Sequence, residues 1–267
     1  EGRLRFGMGR GLARREFEGF RLSMDESRAR FDESSAMIVK ALETGFIEGD
    51  GPMYKQPRIE IRPRPQRSME GRLYSVATSQ DSVESVAKLG GVRMVMFADR
   101  PWEMRAPVIN HGRELHLKHH GRPAPPPMLT DFAICADNNE KAEEMARKYQ
   151  GKFTESNFYH YEFLGQHFAN VKGYDGYQEK AEFARQAGGD LKPAVENFMK
   201  SASWGTPERI LRELEKRREI VGDFELNVSF RFGGTPYEVS EASLKLFAKE
   251  VLPVLKTWKA EDAVAAE

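Results

Sequence analysis

The sequence lacks the features that would place it in several large classes of protein. Its one cysteine, Cys135, excludes internal disulfides and cysteine-rich zinc sites, and it is typical of a reducing compartment. Its 41 Lys and Arg residues balance 41 Asp and Glu residues, so charge favours neither nucleic acid nor a membrane surface as a partner. No apolar run approaches the roughly 18 residues of a membrane-spanning helix, and the N-terminus lacks a signal peptide's apolar region. We therefore expect a cytoplasmic protein.

What the sequence does have is a regular alternation of short apolar runs and amphipathic stretches. The apolar runs predict strands over residues 4–8, 73–78, 92–97, 132–135 and 224–232. The amphipathic stretches predict helices over residues 23–44, 79–89, 102–120, 206–221 and 235–251, and a further long helix that begins at residue 138. This order predicts βαβ units and a parallel sheet covered by helices. The pattern alone leaves an open doubly wound sheet and a (β/α)₈ barrel as alternatives, and five strands are too few for a closed barrel unless others precede Glu1.

One long stretch breaks the alternation. Residues 165–203 carry five glycines and a proline among scattered aromatic residues, with no sustained apolar period. Loops of this length inside a compact domain are usually functional. We interpret the stretch as a lid-like insertion.

A glycine-rich segment follows the first predicted strand. In Gly7-Met8-Gly9-Arg10-Gly11 the glycines allow backbone amides to approach a phosphate, and the Arg10 guanidinium could bind it with two hydrogen bonds. The spacing does not match the G-x-G-x-x-G pattern of dinucleotide-binding proteins. A tight turn with a surface arginine explains the same five residues equally well.

The turn after the second predicted strand offers a second anion site. Ser79 opens a predicted helix, where hydroxyl and amide groups can hold an anion, although ordinary helix capping is the commoner reason for a serine there. Asp81 would repel an anion if its carboxylate pointed inward. Because the carboxyl ends of parallel strands lie at one edge of a sheet, we expect this turn and the Arg10 loop to lie together.

The histidines and the cysteine give weaker signals. Four histidines within residues 111–120 have helical spacing, but no carboxylate completes a metal-binding pattern and the neighbouring cations would repel a metal ion, so we expect a solvated basic face. His160 and His167 lie near the start of the predicted lid, where a structural role is the commoner one. Cys135 lies in an apolar strand and is expected to be an inert core residue.

Four motifs resemble the bacterial luciferase-like flavin-dependent monooxygenases. They are the segment from Arg3 to Gly11 followed by Glu16-Phe17, the strand end Val76-Ala77-Thr78-Ser79, the helix start Trp204-Gly205-Thr206-Pro207-Glu208, and the closing segment from Leu244 to Pro253. Each motif is weak alone, but they occur in the family's order over nearly the whole chain.

The resemblance implies an α/β fold of the (β/α)₈ TIM-barrel type, with residues 1–267 as a single barrel domain that lacks its first three strands. It implies that Arg10, Thr78 and Ser79 hold the phosphate of reduced FMN and that Phe97 lies near the flavin ring. Gly9 stands where luciferase itself has a reactive cysteine, which argues against a light-emitting enzyme. The family's catalytic histidine belongs to the part that precedes Glu1, so no catalytic residue is assigned.

The function that the resemblance implies is a monooxygenase that uses reduced FMN and oxygen on a small hydrophobic substrate. A separate flavin reductase would supply the FMN, the enzyme would be a homodimer, and residues 165–203 would exclude water from the reacting flavin. Two alternatives remain open on the same fold. One is an oxidoreductase dependent on a deazaflavin, coenzyme F420, and the other is a flavin-binding protein without catalytic activity.

Overall fold

The computed structural model describes residues 3–171, 173–186 and 188–258. The chain divides into two compact units. The first contains Glu1–Val95, Asn110–Pro125 and Tyr161–Glu182, and the second contains Met96–Ile109, Pro126–His160 and Phe183–Glu267.

Short strands alternate with helices along the described chain. The strands are β1 Phe6–Met8, β2 Phe46–Asp50, β3 Lys55–Glu60, β4 Leu73–Val76, β5 Val92–Phe97, β6 Met128–Phe132, β7 Ile134–Cys135, β8 Trp204–Gly205 and β9 Glu225–Ser229. The α-helices are α1 Arg14–Gly19, α2 Ser27–Thr44, α3 Gln80–Leu89, α4 Trp102–His120, α5 Asn139–His160, α6 Asp175–Gln186, α7 Lys192–Ser201, α8 Pro207–Val221, α9 Tyr237–Leu246 and α10 Leu252–Leu255. Short 3₁₀ turns cover Met24–Glu26 and His167–Asn170, and a π-helical turn covers Phe247–Val251.

The first unit is built on parallel strands in the order β1, β4, β5. Phe6 pairs with Leu73 and Met8 pairs with Ser75, so the loops that follow β1 and β4 leave the sheet at the same edge. Helix α3 returns the chain from β4 to β5 and buries Val83 and Val86. The predicted common edge for the two loops is therefore confirmed.

An antiparallel hairpin of β2 and β3 also belongs to the first unit. The Arg58 guanidinium carbon lies 3.6 Å from the centroid of the Phe46 ring, and Ile59 is exposed. Helix α2 precedes the hairpin and ends, as predicted, at Gly45, whose φ of 81° suits a residue without a Cβ.

The second unit holds the last residues of β5. Strands β6 and β9 belong to the same sheet and form a parallel pair, and β7 and β8 form a separate two-stranded parallel sheet. Its core has an aromatic centre in which the Phe132 ring packs on Phe153 at 4.5 Å and on Phe232 at 5.4 Å between centroids. Helix α8 begins as predicted, since the Thr206 hydroxyl accepts a hydrogen bond from the Arg209 amide and Pro207 occupies the first turn.

Three parts of the pattern differ from the sequence prediction. Strand β6 begins at Met128, directly after the prolines at 125–127, and not at residue 132 as predicted. Proline lacks an amide donor and restricts the residue before it, so it does not prevent a strand from starting at the residue that follows. Residues 165–203 contain α6 and α7 instead of irregular chain. Helix α9 begins at Tyr237 and not at residue 235, and the Thr235 hydroxyl donates to the Phe232 carbonyl oxygen instead of capping the helix. None of the helices in the described part of the chain is long and apolar enough to span a membrane.

Candidate functional site

Arg10 lies in the loop that follows β1, and its guanidinium is held on two sides. Its Nη2 donates to the carbonyl oxygen of Gly173 at 2.7 Å, and its Cζ lies 3.8 Å from the centroid of the Tyr174 ring. Its Nη1 is buried and has no hydrogen-bond acceptor among the described residues. A buried cationic N–H without an acceptor is costly, so this atom marks a position where an anionic ligand would stabilise the loop.

Two glycines allow this arrangement of the arginine. Gly11 turns the chain after Arg10 with a φ of +89°, and Gly173 has a φ of +78°. A Cβ at Gly173 would lie 2.8 Å from Arg10 Nη1 and 3.3 Å from Asp81 Oδ2. Both glycines therefore adopt a conformation that other residues disfavour, and Gly173 also makes room for the guanidinium.

A second cation, Arg28, lies in the first turn of α2. Its Nη1 is 3.6 Å from Asp32 Oδ1, but its Nε and Nη2 are buried without hydrogen-bond partners in the described chain. Burial lowers the pKa of Arg10, and the positive charge of Arg28 lowers it further against the opposing effects of Tyr174 and Asp81. The two arginines are thus partly buried neighbours whose positive charges oppose each other.

Sequence reasoning missed Arg28, although a signal for it exists. The positive end of the helix dipole disfavours a cation in the first turn, and α2 has no acidic residue there. Positions where a residue contradicts the charge preference of a helix end are often functional sites.

The turn after β4 carries the other two predicted phosphate residues, Thr78 and Ser79. Ser79 caps α3 in a reciprocal pattern: its amide donates to the Ser82 hydroxyl at 3.0 Å, and its own hydroxyl accepts from the Ser82 amide at 3.4 Å. The capping role considered for Ser79 is therefore present. Thr78 is half-buried at the start of the same turn. Phosphate binding by either residue stays a prediction.

Asp81 brings a negative charge to the same place. Its carboxylate lies close to Gly173 and raises the pKa of Arg10, so it faces the arginine and not away from it. The two loops thus meet around Gly173, where Asp81 lies near Arg10, and the neighbouring Arg28 has its own acidic partner in Asp32. An arriving anion would be attracted by the arginines and repelled by Asp81.

Phe97 is the last residue of β5 and belongs to the second unit. Its neighbours Met96 and Ala98 are fully buried, whereas Phe97 is half-buried. The Ala98 amide continues the pairing by donating to the Thr130 carbonyl oxygen at 3.0 Å. The predicted place of Phe97 beside a flavin ring stays a prediction.

The histidines of α4 correct one expectation. His116 is only 3% exposed and its Nδ1 lies 3.1 Å from the Arg122 carbonyl oxygen, while the partly buried His120 reaches the Ala87 carbonyl oxygen at 2.8 Å. The expected solvated basic face is wrong for these two residues, because they turn towards α3 and the chain after α4. Burial lowers the pKa of His116. In the described chain no group of three or more His, Cys, Asp or Glu side chains is placed to hold a metal ion.

The remaining titratable residues that the sequence singles out are Cys135, His167 and His160. Burial raises the pKa of Cys135 to about 12, so its thiol stays protonated and the expectation of an inert core residue is confirmed. The His167 ring contacts Phe168 at 4.0 Å between centroids, and burial lowers its pKa. His160 ends α5 and is exposed.

Comparison with known proteins identifies the family. A sequence model described as luciferase-like monooxygenase matches residues 1–223. The chain belongs to the luciferase-like monooxygenase family. This confirms the resemblance that the four sequence motifs carry, and it covers both the Arg10 loop and the turn at Ser79.

Relatives within the luciferase-like family are distant. The alkanal monooxygenase alpha chain of Photorhabdus luminescens is 24% identical over 264 residues, which cover 96% of this chain and 71% of the relative. The solved structure of the oxygenating constituent of 3,6-diketocamphane monooxygenase from Pseudomonas putida, a complex with FMN, superposes with a TM-score of 0.62 at 15% identity and covers 93% of this chain and 71% of that one. These matches show the luciferase-like fold.

A second solved structure has a different cofactor. An F420-dependent secondary alcohol dehydrogenase, in complex with an F420-acetone adduct, superposes with a TM-score of 0.64 at 12% identity and covers 95% of this chain and 70% of that one. Luciferase-like neighbours of this chain thus include proteins that bind FMN and proteins that bind F420. The α/β class and parallel strands agree with the luciferase-like, TIM-barrel type of fold.

Proposed function

We propose that this protein is a monooxygenase that uses reduced FMN and oxygen to oxidise a small hydrophobic substrate. The observation that carries the proposal is the partly buried pair Arg10 and Arg28, which has buried, unused N–H groups near the edge of the parallel sheet. In a member of the luciferase-like family, an anion site at this edge supports a phosphate-bearing flavin.

The residues present fit a phosphate group. Three buried guanidinium nitrogens without acceptors (Nη1 of Arg10, Nε and Nη2 of Arg28) match the several acceptor oxygens of a phosphate. The first turn of α3 adds amide groups and the positive end of the helix dipole. Asp81 opposes binding and Asp32 pairs with Nη1 of Arg28, but neither carboxylate accepts from the three unused guanidinium nitrogens.

In the proposed function, these side chains position the cofactor and leave the oxygen chemistry to it. When bound, reduced FMN supplies the electrons that activate oxygen. Arg10 and Arg28 would hold the phosphate by charge-assisted hydrogen bonds, with Thr78 and Ser79 at the start of α3 beside it. Residues 165–203 would exclude water from the reacting centre.

The proposal includes two partners, a flavin reductase and a second copy of this chain. We propose that a separate flavin reductase provides the reduced FMN. We also propose a homodimer in the cytoplasm, which light scattering and cell fractionation would test. The likeness to an F420-dependent dehydrogenase favours a deazaflavin-dependent oxidoreductase as the second candidate function. A flavin-binding protein without catalytic activity remains the third.

The functional test compares these candidates directly. The protein is mixed under anaerobic conditions with photoreduced FMN, then with oxygen and a panel of aldehydes, ketones and alkanes, and products are identified by mass spectrometry with ¹⁸O₂. Incorporation of one labelled oxygen atom into a product supports the proposal. Oxidation of a secondary alcohol with reduction of F420, and no labelled product, would establish the second candidate. Flavin binding without either reaction would establish the third.

A further inference from the structure

Tyr174 connects the separate parts of the candidate phosphate site. Its side chain is 1% exposed, and its ring lies under the Arg10 guanidinium at 3.8 Å. Its hydroxyl oxygen lies 3.1 Å from the Gly11 carbonyl oxygen, to which it donates, and 3.1 Å from Ser27 Oγ. One side chain thus contacts the Arg10 loop at two points and the start of α2, one residue before Arg28.

The Tyr174 ring is itself held in place by other aromatic rings of the same segment. Phe168 and Tyr177 lie 6.0 Å from it between centroids, and Phe163 stacks on Phe168 at 5.5 Å. At the start of this segment, Glu162 accepts from Arg14 at 2.8 Å. Tyr174 is therefore a fixed support, and the arginine above it has little freedom to turn.

The contacts divide the donors of Arg10 into used and unused ones. Nη2 is engaged by the Gly173 carbonyl oxygen, one face of the guanidinium lies on the Tyr174 ring, and Nη1 remains without an acceptor. A cation over an aromatic face is stabilised most when it is desolvated, and both Nη1 of Arg10 and the Tyr174 side chain are buried. Without the ring, Arg10 would be free to choose other rotamers and to pair with Asp81.

We propose that Tyr174 is a positioning residue for the phosphate of the cofactor, which holds the Arg10 guanidinium by its aromatic face so that Nη1 points at the phosphate. This inference rests on the proposed function, because it assumes a phosphate-bearing cofactor. It assigns the segment after α5 a part in phosphate recognition as well as in the exclusion of water. Tyr174 acts through Arg10 and does not itself bind the phosphate.

The test measures dissociation constants for FMN and riboflavin by fluorescence titration, with Tyr174→Leu and, as matched control, Phe168→Leu. Phe168 is an equally buried ring of the same cluster without contact to Arg10 among the described residues. Tyr174→Leu should weaken FMN by roughly 5- to 30-fold and leave riboflavin within about twofold. Phe168→Leu should change both constants by the same factor. In an Arg10→Ala background, Tyr174→Leu should have no further effect on FMN.

A second comparison keeps the fold intact if the leucine variant does not fold. Pentafluorophenylalanine at position 174 retains the shape of a ring but reverses the electrostatic character of its face, so it should weaken FMN at least about threefold relative to Tyr174→Phe, again with riboflavin unchanged. The thermal shift produced by inorganic phosphate should fall in the same order. A constant FMN-to-riboflavin ratio across folded variants would overturn the inference and leave the proposed function intact. A wild-type protein that binds FMN no more tightly than riboflavin would overturn both.

Discussion

The buried ion pair of Asp131 and Arg217 in the second unit predicts a large and local loss of stability. Asp131 is fully buried and Arg217 is 2% exposed, with 2.7 Å between Oδ2 and Nη1. Asp131 also accepts from the amides of Phe132 and Ser203 at 2.7 and 3.0 Å. Every acceptor oxygen of the carboxylate is therefore engaged, and its removal leaves a guanidinium without compensation.

The predicted magnitude follows from that geometry. Asp131→Ala should lower the free energy of unfolding by about 3 to 5 kcal/mol, the usual cost of leaving one member of a buried pair alone. Asp131→Asn keeps the shape and some acceptors and should cost less. The double variant Asp131→Leu/Arg217→Met removes both charges and should cost well below the sum of the single changes, because neither charge is left unpaired.

The assay uses the three tryptophans, all of which lie in the second unit. Trp102 is a direct reporter, since its ring centroid is 4.6 Å from the Arg217 guanidinium carbon. Unfolding in urea followed by tryptophan fluorescence should show a midpoint lowered by about 1 to 2 M for Asp131→Ala. A loss below about 1 kcal/mol, or fully additive effects in the double variant, would refute the account of this pair.

Three further predictions concern the first unit. The pKa of His116 in the folded protein lies below its ordinary value of 6.5, so the neutral side chain contributes stability above that pH. This contribution should be lost as the pH falls through the folded pKa. A His116→Gln variant should therefore show a smaller drop in melting temperature between pH 7 and pH 5 than the wild-type protein. Asp81→Asn should tighten FMN by about 1 kcal/mol without affecting riboflavin, since it removes a charge that repels the phosphate; unchanged affinity would mean that Asp81 turns away when FMN binds. Gly173→Ala should weaken FMN at least about tenfold through displacement of Arg10, whereas Gly176→Ala, which meets nothing within 4 Å, should not.

Helices with local end signals could be predicted from the sequence. Gly45 ends α2 and Thr206-Pro207 begins α8, because each of these residues satisfies or terminates backbone hydrogen bonds by its own chemistry. Thr235-Pro236 carries a similar signal before α9 but fails as a cap, since the Thr235 hydroxyl finds the nearer Phe232 carbonyl oxygen. Helices α6 and α7 could not be predicted from residues 165–203. The aromatic residues there pack as a cluster, and their spacing along the sequence shows no helical period.

The residues of the candidate site also fall into two groups, those that the sequence indicates and those that it does not. Arg10 and Ser79 could be found from the sequence because each follows a strand and lies in a recognisable loop or cap. Gly173 and Tyr174 could not, since they meet Arg10 and Gly11 across 163 residues of sequence. Local patterns contain no record of such a contact, and only the folded chain brings the two segments together.

The most direct test of the central claim compares FMN with riboflavin on wild-type protein and on Arg10→Ala. Because the two ligands differ only in the phosphate, the variant should weaken FMN by about 2 kcal/mol or more, about 30-fold, and leave riboflavin nearly unchanged. A parallel loss for both ligands, or no loss for FMN in a folded variant, would contradict the assignment of this loop as the phosphate site.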